Sequence, residues 1–270
     1  MLPSEADFCA IDQVVKILVD CRSLLFITGA GLSADSGLPT YRGIGGLYSA
    51  GLTEDGLAIE DILSGPMIRQ DPELSWKYLI QIARAARGAR PNRGHEVIAE
   101  MERHFERVWT LTQNVDGFHR AAGTQNLIEI HGDLHDIYCA GCGWRRQVED
   151  YDAIEMPPRC PRCHRIARPD VVLFGEFLPP AQVQRLFAEC RRGFDAVFSV
   201  GTGSVFPYIV EPVRQAQLRG RPAIEINPGE STISHVVDVR LPLRAAPALD
   251  AIWSRYRARQ GGATVEGPPL

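Results

Sequence analysis

The apolar residues of this chain recur with two different spacings. At 7–22, Phe8, Ile11, Val14, Val15 and Leu18 return every three or four residues, which predicts an amphipathic helix packed on a core. Ser23-Leu24-Leu25-Phe26-Ile27 then forms a short unbroken apolar run that stops at Thr28-Gly29. Such a run suits a central strand covered on both faces. Similar runs follow at Val108-Trp109-Thr110-Leu111, Leu127-Ile128-Glu129-Ile130, Ala196-Val197-Phe198-Ser199-Val200 and Ala223-Ile224-Glu225-Ile226. Helical patterns at 73–87, 94–103 and 181–192 separate several of them. Strands alternating with helices predict an α/β fold, a doubly wound parallel sheet of Rossmann-like type.

Two stretches interrupt this rhythm. Residues 39–71 are rich in Gly, Ser, Asp and Pro and read as a long mobile loop with room for short helices. Residues 136–168 hold two cysteine pairs, Pro157-Pro158 and many arginines, with too little apolar content to build a core alone. The main domain is therefore expected over 1–135 and 169–258, with a small metal-held insert at 136–168. The tail from about Arg259, with Gly261-Gly262 and Pro268-Pro269, is expected to be disordered.

Composition narrows the function. At 270 residues, 45% hydrophobic and 23% charged, the chain has enough apolar matter for one large domain and a small insert. A net charge of −4 with interspersed signs argues against general nucleic-acid binding. Arg84, Arg87, Arg90 and Arg93 read as a solvated helix face and the loop after it. Glu5, Asp7 and Asp12, with no basic segment followed by an apolar stretch, lead us to expect no signal peptide here, and no apolar run is long enough for a membrane span. Seven cysteines, an odd number in a chain of this length, fit a reducing cytoplasm. Cys9, Cys21 and Cys190 lie in amphipathic patterns and read as buried thiols.

The chemistry concentrates at predicted strand ends. Gly29-Ala30-Gly31-Leu32-Ser33-Ala34 fits Gly-x-Gly-x-x-Gly/Ala directly after a strand. Its first glycine permits the turn, its second lets backbone approach a pyrophosphate, and Ala34 lets helix and strand pack closely. A helix starting near Ser33 would aim its N–H groups at the phosphates. The bland alternative is a glycine turn that only joins strand to helix. The acidic residue that a dehydrogenase carries about 20 positions on is missing, which counts against hydride transfer. Thr112-Gln113-Asn114-Val115-Asp116 follows a second strand and His131 a third, so these groups should converge on one crevice. His131 is the acid–base candidate. Asn114 or Asp116 alternatively caps the next helix.

Cys139-x2-Cys142 and Cys160-x2-Cys163, 17 residues apart, have the spacing of a structural zinc site, with a redox pair as the alternative. Four thiolates fill a tetrahedral zinc and leave no place for a catalytic water. His135 and His164 read as bystanders.

Taken together, these stretches resemble the sirtuin family. The resemblance runs over Gly29 to Arg42, Thr112 to His119, His131-Gly132-Asp133-Leu134, both cysteine pairs, Pro169 to Glu176, Gly201-Thr202-Gly203-Ser204 and Ile226-Asn227-Pro228, in family order. It implies a lysine deacylase with NAD as co-substrate: the acyl oxygen displaces nicotinamide from the ribose, and the acyl group ends on ADP-ribose. It further implies His131 as general base, with Asn114 and Asp116 also catalytic. Gln113, Asn114 and Asp116 would hold nicotinamide and its ribose, Gly201, Ser204 and Asn227 the adenosine end, and Ala30 and Gly31 the pyrophosphate. Gly29, Ala34, Asp35, Tyr41, Arg42 and Thr202 complete the implied cofactor set, Tyr41 standing where the family usually has phenylalanine.

The acylated lysine substrate would pair with backbone from Val171 and Val172 through Phe174, Gly175 and Glu176. Leu79 and Ile82 stand where succinyl- and malonyl-removing members carry tyrosine and arginine, which implies neutral acyl groups. ADP-ribosyl transfer or NAD hydrolysis in the same cleft is the rival reading, and a non-catalytic NAD sensor the third. The sequence sets no oligomeric state and is compatible with a monomer.

Overall fold

The computed structural model describes residues 4–39 and 51–261. Helix α1 (Glu5–Val19) leads into β1 (Ser23–Thr28), a short helix α2 (Ala30–Ser33), then α3 (Ile59–Ile62), α4 (Gly65–Gln70), α5 (Pro72–Ala85) and α6 (Arg93–His104). Next come β2 (Arg107–Thr112), α7 (Phe118–Ala121), β3 (Leu127–Glu129), β4 (Gly132–Tyr138), β5 (Arg145–Gln147) and β6 (Arg168–Val171). The chain closes with α8 (Pro180–Arg192), β7 (Ala196–Val200), α9 (Pro207–Leu218), β8 (Ala223–Ile226), β9 (Val239–Leu241) and α10 (Ala245–Gly261).

The main sheet is six-stranded and parallel, in the order β3-β2-β1-β7-β8-β9. The chain builds outward from β1 on one side, then returns to build outward from β7 on the other. Leu24 and Phe26 pack toward α1, α6 and α10, whereas Leu25 and Ile27 pack toward α8 and α9. Both faces of β1 are thus apolar, which is why its sequence shows no polar alternation. Phe26 and Phe198 stack on adjacent strands, ring centroids 4.8 Å apart.

Register does the rest. Thr28 pairs with Thr112 and Val200, Val200 with Ile226, and Ile226 with Leu241. The strand ends lie level, so Gly29, Gln113, Gly201 and Asn227 emerge side by side along one rim. The reversal of strand order between β1 and β7 opens a crevice there.

A second, antiparallel sheet, β5-β4-β6, forms a small lobe. Its apolar side meets α3 to α5 in a separate core in which the Trp76 indole donates to Ala167 O at 2.9 Å and packs on Tyr151. At its tip, two loops repeat one geometry. Cys139 N–H donates to Trp144 O (2.8 Å) and Gly143 N–H to Cys139 O (2.9 Å). Likewise Cys160 N–H donates to Arg165 O (2.8 Å) and His164 N–H to Cys160 O (2.9 Å). Gly143 and His164, four residues after their cysteines, both have left-handed backbone, at φ 72° and 61°. The loops bring the sulfurs of Cys139, Cys142, Cys160 and Cys163 within 4.8 Å of one another, all four as free thiols. Four thiolates so close repel unless a cation neutralises them, and the set suits tetrahedral zinc. Neither His135 nor His164 joins the cluster.

Several expectations need correction. The helix after the glycine turn starts at Ala30, not Ser33, with Gly29 as its N-cap. Cys9 is exposed rather than buried, and Phe8 is 39% exposed beneath the Arg255 guanidinium. Arg259 to Gly261 continue α10 rather than beginning a disordered tail. In agreement with the reading of a loop with room for short helices, 51–71 contain α3 and α4, the latter capped by Ser64. Arg84 and Arg87 pair with Asp150 and Asp152, exposed bridges of small individual worth. Among the described residues no helix is long and apolar enough to cross a membrane.

Removing the metal by chelation should raise amide hydrogen exchange over 132–171 by roughly tenfold or more while leaving β1, β2 and β7 protected. Equal loss of protection in both sheets would show that the lobe and the parallel sheet share one core.

Candidate active site

The rim between β1 and β7 is built by backbone in contact with backbone. Gly31 N–H donates to Gly201 O at 2.8 Å, and Gly29 N–H to Val200 O at 3.1 Å. A Cβ on Gly31 would lie 2.7 Å from Gly201 Cα, and one on Gly201 would lie 2.5 Å from Leu32 N. The second glycine of the motif therefore faces another turn, and its N–H is engaged within the chain. Ala30 N–H, at the first position of α2, has no acceptor among the described residues, so an anion at this rim would meet that donor first.

Next to it lies a polar network drawn from four strand ends. Asn114 Nδ2 donates to Gly29 O and to Ser33 Oγ, both at 3.0 Å. Ser33 Oγ donates to Asp116 Oδ2 at 2.6 Å, while Asp116 Oδ1 accepts from Phe118 N–H, the first of α7, at 3.0 Å. Burial raises the Asp116 carboxyl above the usual range, against the two bonds that lower it. Gln113 Nε2 donates to Thr202 Oγ1 at 2.8 Å, and Asn227 Nδ2 to Thr202 O at 3.0 Å. Ser204, buried and at φ 52°, donates its N–H to Thr202 Oγ1. Thr202 is thus the junction of the β2, β7 and β8 ends.

Beneath this layer Thr28 Oγ1 donates to Thr112 Oγ1 and accepts from His119 Nε2, each at 2.9 Å. His119 and His95 pack against each other, and burial keeps both imidazoles uncharged, His95 pushed down to about 4.

His131 follows β3, two residues past the last sheet pair. Its Nδ1 lies 3.0 Å from Gln113 O, an acceptor only, so Nδ1 carries the proton of the neutral ring and Nε2 the lone pair. Nε2 in turn sits 2.6 Å from the Tyr208 hydroxyl. Burial lowers the His131 pKa below its usual value, partly opposed by the bond to Gln113. Phe206 and Tyr208 stack on each other, and both rings stand nearly perpendicular to this imidazole.

Several residues expected at the site are already engaged within the chain. The Asp35 carboxylate accepts from Arg244 Nε (2.6 Å) and Ala246 N–H (2.7 Å), tying down the start of α10. Asn227 and Ser204 use their side chains inside the turn. Leu79 is 2% exposed in the core beside the lobe, with the partly buried Ile82 packed against that core. Val171 pairs with Gly132, and Val172 N–H donates to His131 O at 2.9 Å. Phe174 N–H donates to Leu63 O, and Phe174 O accepts from Gly65 N–H, both at 2.9 Å. Glu176 is held by both guanidinium nitrogens of Arg168, at 2.6 and 2.8 Å. Tyr41 and Arg42 lie outside the described residues. Sequence reasoning missed Ser33 as a junction and Tyr208 as a partner of His131. The first was visible only as one letter of the glycine motif, and the second needed the fold.

Comparison with known proteins agrees with this geometry. The Sir2 family model matches residues 29–207. A Pseudomonas aeruginosa protein named NAD-dependent protein deacylase 2 is 51% identical over 251 residues, covering 92% of this chain and 98% of that protein. Among solved structures, a Sir2 homolog–NAD complex superposes with a TM-score of 0.81 at 33% identity, covering 92% of this chain and 94% of that one. A mutant Sir2 homologue in complex with 2'-O-acetyl ADP ribose gives 0.83 at 31% identity, covering 95% and 99%. A rim made of the Gly29 and Gly201 turns, a buried histidine beside it and a four-cysteine lobe occur here in one chain that matches this family over most of its length, and the chain belongs to the Sir2 family.

Proposed function

We propose that this protein is an NAD-dependent lysine deacylase in which His131 is the general base. The observation that carries the reading is the tautomer of His131. Its Nδ1 is fixed on Gln113 O, so the basic Nε2 points away from that strand end with a pKa lowered by burial. A base that must be neutral at working pH is best placed so. NAD supplies an electrophilic ribose carbon, exposed by loss of nicotinamide, to which the acyl oxygen adds.

The chain's own residues supply orientation and proton handling. Ala30 N–H and the dipole of the α2 turn favour the pyrophosphate. Asn114 and Asp116, locked through Ser33, are pre-set polar groups beside the nicotinamide ribose, where positive charge develops. Gln113 and Thr202 join that end of the crevice to the adenosine end. The substrate backbone is left the exposed stretch around Gly175, between Phe174 and the 97%-exposed Phe177. Inward from Phe174 the peptide groups are already paired with Gly132, His131 and residues 63–65.

The acyl group is proposed to be neutral. Leu79 and Ile82 offer an acyl carboxylate no cation, and both belong to an apolar core. The relative named a deacylase, and the homologue bound to an acetylated ADP-ribose, favour deacylation over ADP-ribosyl transfer or NAD hydrolysis.

Three measurements test this reading. His131→Ala should bind NAD as the wild type does and lose deacylation by roughly 10²-fold or more; wild-type-like turnover would remove His131 from the mechanism. On matched peptides acetyl-lysine should be cleaved faster than succinyl-lysine, and the reverse order would refute the neutral-acyl assignment. Because the pKa of His131 is lowered, its base form persists as pH falls. The acid limb of the rate profile should therefore have its midpoint below the ordinary histidine value of about 6.5. A midpoint above that value would mean that His131 is not the titrating base.

A further inference from the structure

The nitrogen that must accept a proton is already hydrogen-bonded. With Nδ1–H donated to Gln113 O, the lone pair of His131 Nε2 accepts from the Tyr208 hydroxyl at 2.6 Å. Both ring nitrogens are engaged, so a substrate hydroxyl reaches Nε2 either by displacing the phenol or through it.

Tyr208 is not on a loose segment. It belongs to the first turn of α9, where Pro207 presets the helical backbone and Ile209 is fully buried. Ile209 N–H and Val210 N–H both donate to Phe206 O, at 3.0 and 3.2 Å. The ring lies flat on Phe206, centroids 5.4 Å apart at an interplanar angle of 10°. Tyr208 is half-buried, with its hydroxyl on the imidazole that faces the rim. Burial raises its pKa to about 12, which keeps the phenol protonated and able to donate at neutral pH.

We propose that Tyr208 is a further residue of the deacylation step, the hydroxyl through which the proton of the attacking ribose hydroxyl reaches His131. The step balances without an ionised phenolate. The ribose O–H bond breaks and its proton passes to Tyr208 Oη, as the proton already on Oη passes to His131 Nε2. The ribose oxygen is left with the electron pair for attack on the acyl carbon, the phenol is neutral before and after, and the positive charge rests on the imidazole. A phenol is both donor and acceptor, which a relay between a hydroxyl and an imine nitrogen requires. This inference rests on the reading of His131 as the base.

The test is Tyr208→Phe, which keeps the ring on Phe206 and removes one oxygen. Nicotinamide exchange into NAD in the presence of an acyl-peptide precedes hydroxyl deprotonation and should be retained, with KM for NAD unchanged. The kcat for deacylated peptide should fall roughly 10²-fold. In mixtures of light and heavy water the wild-type rate should depend on deuterium fraction along a bowed curve, as expected for two protons in flight, and the variant along a line. Retained or faster deacylation in Tyr208→Phe would overturn the proposal and leave the phenol as a cover over the base. Loss of exchange together with deacylation would also overturn it, making the ring a structural support. His131→Ala separates the two claims: if it turns over normally the base assignment itself fails, whereas if it is inactive and Tyr208→Phe is not, only the relay fails.

Discussion

The contact between Gly31 and Gly201 is the constraint on which the site depends. The turns after β1 and β7 meet with no side chain between them, and Gly31 N–H to Gly201 O extends the strand pairing one step past the sheet. Only two residues without a Cβ allow that approach, since a Cβ on either would fall inside the other's backbone. Because the turns are locked, α2 leaves at a fixed angle, Ser33 sits opposite Asp116, and Thr202 is delivered to Gln113 and Asn227. A doubly wound sheet always has a gap where its strand order reverses. Here that gap is drawn shut at its base and left open at its polar lip.

What the lip contains is polarity fixed before any ligand arrives. Asn114, Ser33 and Asp116 form one run of hydrogen bonds, and Gln113, Thr202 and Asn227 another. Dipoles already oriented need no reorganisation when charge develops, and that is how a protein differs from water as a medium for breaking a glycosidic bond. The buried, uncharged pair His95 and His119 beneath adds no competing charge.

How far the sequence was legible follows the range of the interactions involved. β7 and β8 coincide with the apolar runs read from sequence, because a strand covered on both faces needs an unbroken run. β9 went unseen: three residues, with Arg240 in the middle, carry no period. The cysteine spacing announced a metal because both halves of each loop lie within a few residues. The packing of Gly31 on Gly201 could not be read, because the two are remote in sequence. The anchoring of α10 by Asp35 was hidden for the same reason, since that helix begins at Ala245. Tyr208 shows the limit most plainly. Nothing local in Phe206-Pro207-Tyr208 points to a histidine on the far side of the chain, and only the level ends of β3 and β7 bring them together.

The small lobe joins the parallel sheet at two adjacent points. Gly132 and Val171 pair across its base, and immediately beyond them Val172 N–H is bonded to His131 O. Seen from the parallel sheet, everything from Gly132 to Val171 is one long loop whose ends are already closed. Closing a loop of that length costs chain entropy, and an unclosed one would leave His131 at the frayed end of a strand. The cross-link made by four sulfurs at one end, and Trp76 on Ala167 at the other, remove that freedom without touching a reacting atom. The metal site is in this sense an entropic clamp on a histidine outside its ligand set.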